Sequence, residues 1–301
     1  MKSDTRSFYV QAVQRVIEHV AAHLDEAVAL DRLASEACLS PYHFHRVFRG
    51  IVGETPLELI RRLRMERAAH RLAHGDESVT SIAFGAGYDT HEAFTRAFRA
   101  SYATSPTGFR RRKSPHIEIT ALCGVHYDVH GAIPHFIPRN FGGHSMDVEI
   151  KDLPELRVGA VRHIGPYNQI NEAFSRLGQI AGPAGLTQSP HSAMVALYYD
   201  DPDSTPLDQL RSDAGLTVPD GAPLPDGLAE HRVPAGSYAS TVYVGPYEQL
   251  GDAWARLMGE WLPASGRRIK EDAPSYEVYL NNPMTTPKHE LRTEIRIPVV
   301  G

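Results

Sequence analysis

Cysteine is nearly absent from this chain: only Cys38 and Cys123 occur among 301 residues. They lie far apart and have no metal-type spacing, so neither a disulfide framework nor a cysteine zinc site is expected. Cys38 falls at a helix-turn boundary, where a buried, reduced thiol is expected. Long apolar runs are missing too. No stretch approaches the roughly 20 residues that span a bilayer, and the opening MKSDTRSFYV holds no apolar signal segment. A cytoplasmic protein with no membrane partner is the expectation. The sequence also lacks a nucleophile–base pair, a metal motif and a phosphate-cradling glycine loop. It therefore points away from an enzyme and gives no reason to expect a cofactor.

What is present is charge of both signs, unevenly placed. Residues 1–113 carry 17 Lys+Arg against 13 Asp+Glu, and the remainder carries 14 against 23. The basic part suits a polyanion and the acidic part does not. The length suffices for two domains, each with its own core.

The N-terminal part contains a duplication. Phe44, Arg46, Phe48 and Pro56 align with Phe94, Arg96, Phe98 and Pro106 at a constant offset of 50, which marks one supersecondary unit used twice. Each copy reads as a short helix, a turn and a longer helix. Ser40-Pro41 is a helix-start signal. Phe44, Val47, Phe48 and Ile51 then form a buried stripe at helical spacing. The opposite stripe is Tyr42, His45, Arg46 and Arg49; its counterpart in the second copy is Glu92, Thr95, Arg96 and Arg99. Such a helix fits the major groove of double-stranded DNA, where arginine pairs bidentately with guanine. Between the copies, Leu57–Ala73 reads as a connecting helix of roughly 25 Å, enough to hold two reading helices about one DNA turn apart. The basic run Arg110, Arg111, Arg112 and Lys113 reads either as a phosphate contact or as a solvated tail.

These residues resemble the tandem helix-turn-helix domain of the AraC/XylS family of transcription regulators, over roughly residues 8–112. GYDTHEAFTRAFRASYATSPTGFR carries the resemblance most specifically. It implies base-reading positions at Tyr42, His45 and Arg46, and at His91, Glu92 and Arg96. RNA polymerase is a further partner to expect of such a regulator.

Residues 114–145 read as a linker, with Pro115, Pro134 and Pro138 and five histidines, His116, His126, His130, His135 and His144. Their irregular spacing and the lack of clustered acidic or cysteine partners argue against a metal site. From Met146 a second duplication begins. Residues 153–178 align with 233–258 at an offset of 80, and 196–213 with 277–294 at 81. Each half reads strand, Gly-Pro turn, amphipathic helix, then two strands. The expected fold is therefore multidomain: residues 1–113 an all-α tandem helix-turn-helix, residues 146–301 a duplicated α+β domain with a pseudo-twofold groove.

This second part resembles the GyrI-like, effector-binding domain of multidrug-responsive regulators, through the repeated Gly-Pro-Tyr turn and the strand Tyr276-Glu277-Val278-Tyr279. The resemblance implies a groove for hydrophobic, often cationic small molecules, with Glu277 a key ligand residue. In the repeat Glu277 aligns with Ala196, so only one half carries the carboxylate. Alternation puts Glu277 and Tyr279 on one strand face, either lining a pocket with Trp254 and Phe174 or facing solvent. Two other roles stay open: a small-molecule hydrolase with Glu277 as general base beside Tyr279, or a gyrase-type protein-binding module.

Overall fold

The computed structural model describes residues 2–26, 29–112, 117–131, 136–142, 146–188, 192–200, 205–270 and 272–301; the side chains of residues 2–4 and of Tyr42 lie outside that description. Lys113, His116, His135 and His144 also fall outside it.

The N-terminal part is helical: α1 (Lys2–Ala22), α2 (Leu30–Ala37), α3 (Pro41–Val52), α4 (Pro56–His74), α5 (Val79–Gly85), α6 (His91–Tyr102) and α7 (Pro106–Arg112). The duplicated start signals shape these helices. At α4 a full capping box forms: Thr55 Oγ1 accepts from the Glu58 amide at 3.1 Å, and Glu58 Oε2 accepts from the Thr55 amide at 2.8 Å. Thr90 caps α6 through the Ala93 amide. Ser40 stands at the N-cap of α3 but its hydroxyl meets His43 Nδ1 at 3.0 Å instead of capping the backbone. Cys38 ends α2 in the left-handed region with φ 57° and is exposed, contrary to the buried thiol expected there. The buried residues of α2 are instead Leu33, Ala34 and Ala37. Cys123 is the buried cysteine.

The C-terminal part is α+β. Its strands are β1 (Glu149–Leu153), β2 (Leu156–Ile164), β3 (Met194–Tyr198), β4 (Arg211–Thr217), β5 (Ala229–Val233), β6 (Gly236–Val244), β7 (Arg268–Ile269), β8 (Tyr276–Tyr279) and β9 (Arg292–Val300). Its helices are α8 (Asn171–Ala181), α9 (Leu250–Arg256) and α10 (Leu262–Ser265), with the π-helical segment Leu257–Trp261 joining the last two. The sheet order is β1-β6-β9-β8-β3-β4-β2-β5, all pairs antiparallel, with β7 on β9. The order reads as a palindrome of the repeat. β8 and β3 are equivalent, as are β9 and β4, and β6 and β2, while the edge strands β1 and β5 are exchanged between halves. The pseudo-twofold axis therefore passes between β3 and β8. The Gly-Pro turns recur because Gly165 and Gly245 adopt φ 139° and 150°, which a side chain disfavours.

Packing does not follow the boundary drawn from sequence. The second helix-turn-helix has a core of its own, built from Leu72, Ile82, Phe94, Phe98 and Phe109. The first shares one continuous core with the C-terminal part, in which Tyr9, Ile17, Phe44 and Phe48 join Trp254, Leu257, Met258, Leu262 and Ile295. The connecting segment also binds closely to the helices. Glu66, only 1% exposed, accepts from the amides of Ile119 and Tyr127 at 2.9 and 2.8 Å and lies 3.0 Å from His126 Nδ1. Arg62 donates to the Val125 carbonyl at 2.7 Å while clamped by Glu54. A buried carboxylate satisfied by this many donors holds the strap in place.

Candidate ligand site and nucleic-acid interface

Glu277 lies at the centre of the sheet. It is 3% exposed and stands opposite Ala196 in the β3–β8 pair. Because these two positions are equivalent in the repeat, the axis brings them face to face. A glutamate in both halves would set two carboxylates on directly paired residues, with Cβ atoms roughly 5 Å apart, where like charges repel. The single carboxylate of the sequence thus has a geometric reason.

Three neutral donors converge on it. Trp254 Nε1 donates to Oε1 at 2.7 Å, while the hydroxyls of Tyr198 and Tyr279 donate to Oε2 at 3.1 and 3.0 Å. Tyr198 and Tyr279 are themselves a repeat pair, with hydroxyls 3.4 Å apart. Further rings surround them. Phe174 meets Tyr279 edge-on at 5.4 Å, Tyr247 meets it at 5.4 Å, and Tyr167 meets Tyr198 at 4.8 Å. Burial pushes the Glu277 carboxyl above its ordinary range, although the Trp254 donor, the nearby Arg46 charge and the two tyrosines pull the other way. Burial, with the adjacent carboxylate, drives the Tyr198 and Tyr279 hydroxyls well above theirs, so both remain donors.

The four expected residues Glu277, Tyr279, Trp254 and Phe174 therefore meet at one place. Sequence reading passed over Tyr198, Tyr167 and Tyr247. The repeat offers the missing signal: Tyr198 aligns with Tyr279, and Tyr167 with Tyr247. An open cleft of about 350 Å³ lies elsewhere, lined by Lys151, Thr241, Tyr243 and Arg256 among others, and none of the four residues reaches it.

A fifth participant comes from the helical part. The Arg46 guanidinium lies over the Trp254 ring, 3.9 Å from its centroid. The helix that carries it is set into the C-terminal part at close quarters. A Cβ on Gly50 would meet the Gly259 amide nitrogen at 2.6 Å and the Ala255 carbonyl oxygen at 2.7 Å. The glycines let α3 and the π-helical segment cross backbone to backbone. His43 Nε2 meets Ser275 Oγ at 3.2 Å across the same seam, and His45 is 4% exposed.

The two candidate DNA faces are thus placed differently. On α6, His91, Glu92, Arg96 and Arg99 are exposed and Thr95 is half-buried. On α3, only Arg49 is exposed among the described members; His45 is buried and Arg46 lies on Trp254. In the basic run, Arg110 donates to the Glu77 carbonyl, while Arg111 and Arg112 are exposed. No described helix is long and apolar enough to cross a membrane.

Residues 146–300 match the family model described as a GyrI-like small molecule binding domain, and residues 33–112 match one described as a helix-turn-helix domain. Curated relatives divide along the same line. The "DNA gyrase inhibitor" of Serratia proteamaculans is 37% identical over 145 residues, which is 46% of this chain and 88% of that protein. The "HTH-type transcriptional activator RhaS" of Escherichia fergusonii is 32% identical over 106 residues, which is 35% of this chain and 38% of that protein. Among solved structures, the EcmrR C-terminal domain is 23% identical with a TM-score of 0.45, covering 52% of this chain and 98% of that one.

Proposed function

Because the chain belongs to the GyrI-like family and carries an AraC-type helix-turn-helix domain, we propose that it is a transcription regulator whose DNA affinity answers to a small lipophilic cation. The observation that carries the ligand reading is Glu277. Among the described residues, its three hydrogen bonds all come from neutral groups. A buried carboxylate without an ion pair inside its own domain is costly, and an incoming cation offsets that cost. The rings of Trp254, Phe174, Tyr198 and Tyr279 supply apolar surface and cation–π attraction of roughly 0.5–2 kcal/mol.

The DNA reading rests on the exposed face of α6, with Arg96 and Arg99 to guanine or phosphate and Glu92 able to accept from a cytosine amino group. RNA polymerase is the partner such a regulator would address, in the cytoplasm. Catalysis is not part of the reading. Three of the roughly four acceptor sites on the Glu277 carboxylate are already filled, which leaves about one to face a water.

Calorimetry with a cationic ligand and a neutral analogue of the same shape tests the proposal. The native chain should prefer the cation, and Glu277→Gln should erase that preference while leaving the affinity for the neutral analogue unchanged. Equal loss for both ligands would make Glu277 structural, and no loss for either would place it outside the site.

A further inference from the structure

The side chain that covers Trp254 is an arginine, and it comes from the helix whose outer face is a candidate DNA reader. From this geometry we propose that Arg46 is a built-in occupant of the cation site. One guanidinium either stacks on Trp254 beside Glu277 or faces DNA, and the effector competes with it for the first position. This deepens, and rests on, the reading of Glu277 as a cation site.

Three observations carry it. First, the guanidinium sits 3.9 Å from the ring centroid of Trp254, whose indole nitrogen is bonded to Glu277. A cation over an aromatic face with a carboxylate at that ring's edge is the arrangement a cationic ligand would need. Second, the Arg46 charge is among the influences that lower the Glu277 carboxyl, after the Trp254 hydrogen bond. The internal cation thus already performs part of the ligand's electrostatic role. Third, α3 is seated at the seam that brings Arg46 to Trp254. Gly50, one turn further along the same face, is in backbone contact with Gly259 and Ala255, and His43 is held to Ser275. Docked α3 and a filled cation site are therefore one state, and free α3 and a vacated site are the other.

The chemistry of the occupant specifies the ligand. What fits over Trp254 is a flat, delocalised cation: an aryl guanidinium or amidinium stacks as Arg46 does, while a compact ammonium is more strongly hydrated and stacks less well. Because the ligand binds the vacated state better, it shifts the population toward free α3. Linkage makes the effect reciprocal, so DNA that engages α3 must tighten the ligand by the same factor, typically about 5- to 150-fold.

Calorimetry on the full chain, with phenylguanidinium as cation and phenylurea as its neutral counterpart, tests the competition. Arg46→Ala removes the internal competitor, so it should bind phenylguanidinium at least about tenfold more tightly than the native chain, with phenylurea unchanged. A phenylguanidinium affinity that is equal or weaker in Arg46→Ala overturns the competition. If the native chain still prefers the cation in that case, the parent reading of Glu277 stands. If Arg46→Ala binds both ligands equally, or neither, the parent reading falls with it. Amide hydrogen exchange on the native chain guards against a variant that merely misfolds. Saturating phenylguanidinium should speed exchange along α3 and leave α6 unchanged; unchanged exchange along α3 would contradict the coupling.

Discussion

At the scale of single residues, asymmetry within a symmetric frame is the main lesson. Glu277 faces Ala196 across the pseudo-twofold axis, so Ala196→Glu would set two buried carboxylates side by side. One of the pair should then titrate far above the ordinary carboxylate range, and the protein should be less stable at neutral pH than at mild acid. Chemical denaturation across pH 4–8 reads this directly; a pH-independent loss would mean only steric crowding. A second buried carboxylate behaves in the opposite sense. Burial alone would raise Glu294, but Lys151, Ser240 and Arg296 hold it down at about 2. A lowered carboxyl stabilises the fold above its unfolded value, and that contribution disappears as pH falls toward the folded one. Glu294→Gln should therefore cost about 2 kcal/mol at pH 7, and the gap to the native chain should close between about pH 4 and pH 2. A gap that persists at pH 2 would show that the hydrogen-bond geometry, and not the charge, is responsible.

At the scale of elements, α3 and α6 are copies in sequence and differ in setting. Their buried stripes, with Phe44 and Phe48 matched to Phe94 and Phe98, were legible because helical periodicity is local. So were the caps, the Gly-Pro turns and the strand that carries Glu277. The docking of α3 was not legible, because Gly50 reads as an ordinary helix glycine until Gly259 lies against it. The offset of 50 even suggests that the two faces do the same thing. Their settings differ: the α6 face is exposed, while His45 is buried and Arg46 lies on Trp254. Arg96→Ala should weaken DNA binding by roughly 1–3 kcal/mol, whereas Arg46→Ala should not weaken it in ligand-free protein; equal losses would mean that α3 already reads DNA there. Neutralising Arg111 and Arg112 should weaken binding on every sequence and flatten the salt dependence. An unchanged slope would identify a solvated tail. Gly259→Ala tests the seam, because the new Cβ would fall 2.1 Å from the Gly50 carbonyl carbon. Overpacking against backbone costs typically 1–3 kcal/mol, more than the helix propensity gained. The variant should unfold earlier in denaturant and exchange amide hydrogens faster along α3; native stability would show that the crossing gives way without loss.

At the scale of the molecule, the division expected from sequence, a basic reader tied by a linker to an acidic sensor, becomes a different partition. The second helix-turn-helix has its own core, while the first shares its core with the C-terminal part, and Arg62 and Glu66 tie Ile119, Val125 and Tyr127 to α4. A core shared between distant segments leaves no periodic trace in either. On the proposed reading the shared core is the route by which a ligand reaches DNA, since a ligand that prefers the vacated site alters how α3 is held. The central claim is this coupling. Its most direct measurement is DNA affinity by fluorescence anisotropy, on a fragment selected by the chain from a random pool, with and without saturating phenylguanidinium. The account predicts that the cation tightens DNA binding by about 5- to 150-fold in the native chain and has no effect in Glu277→Gln. A cation that leaves the affinity of the native chain unchanged, or weakens it, would contradict the account.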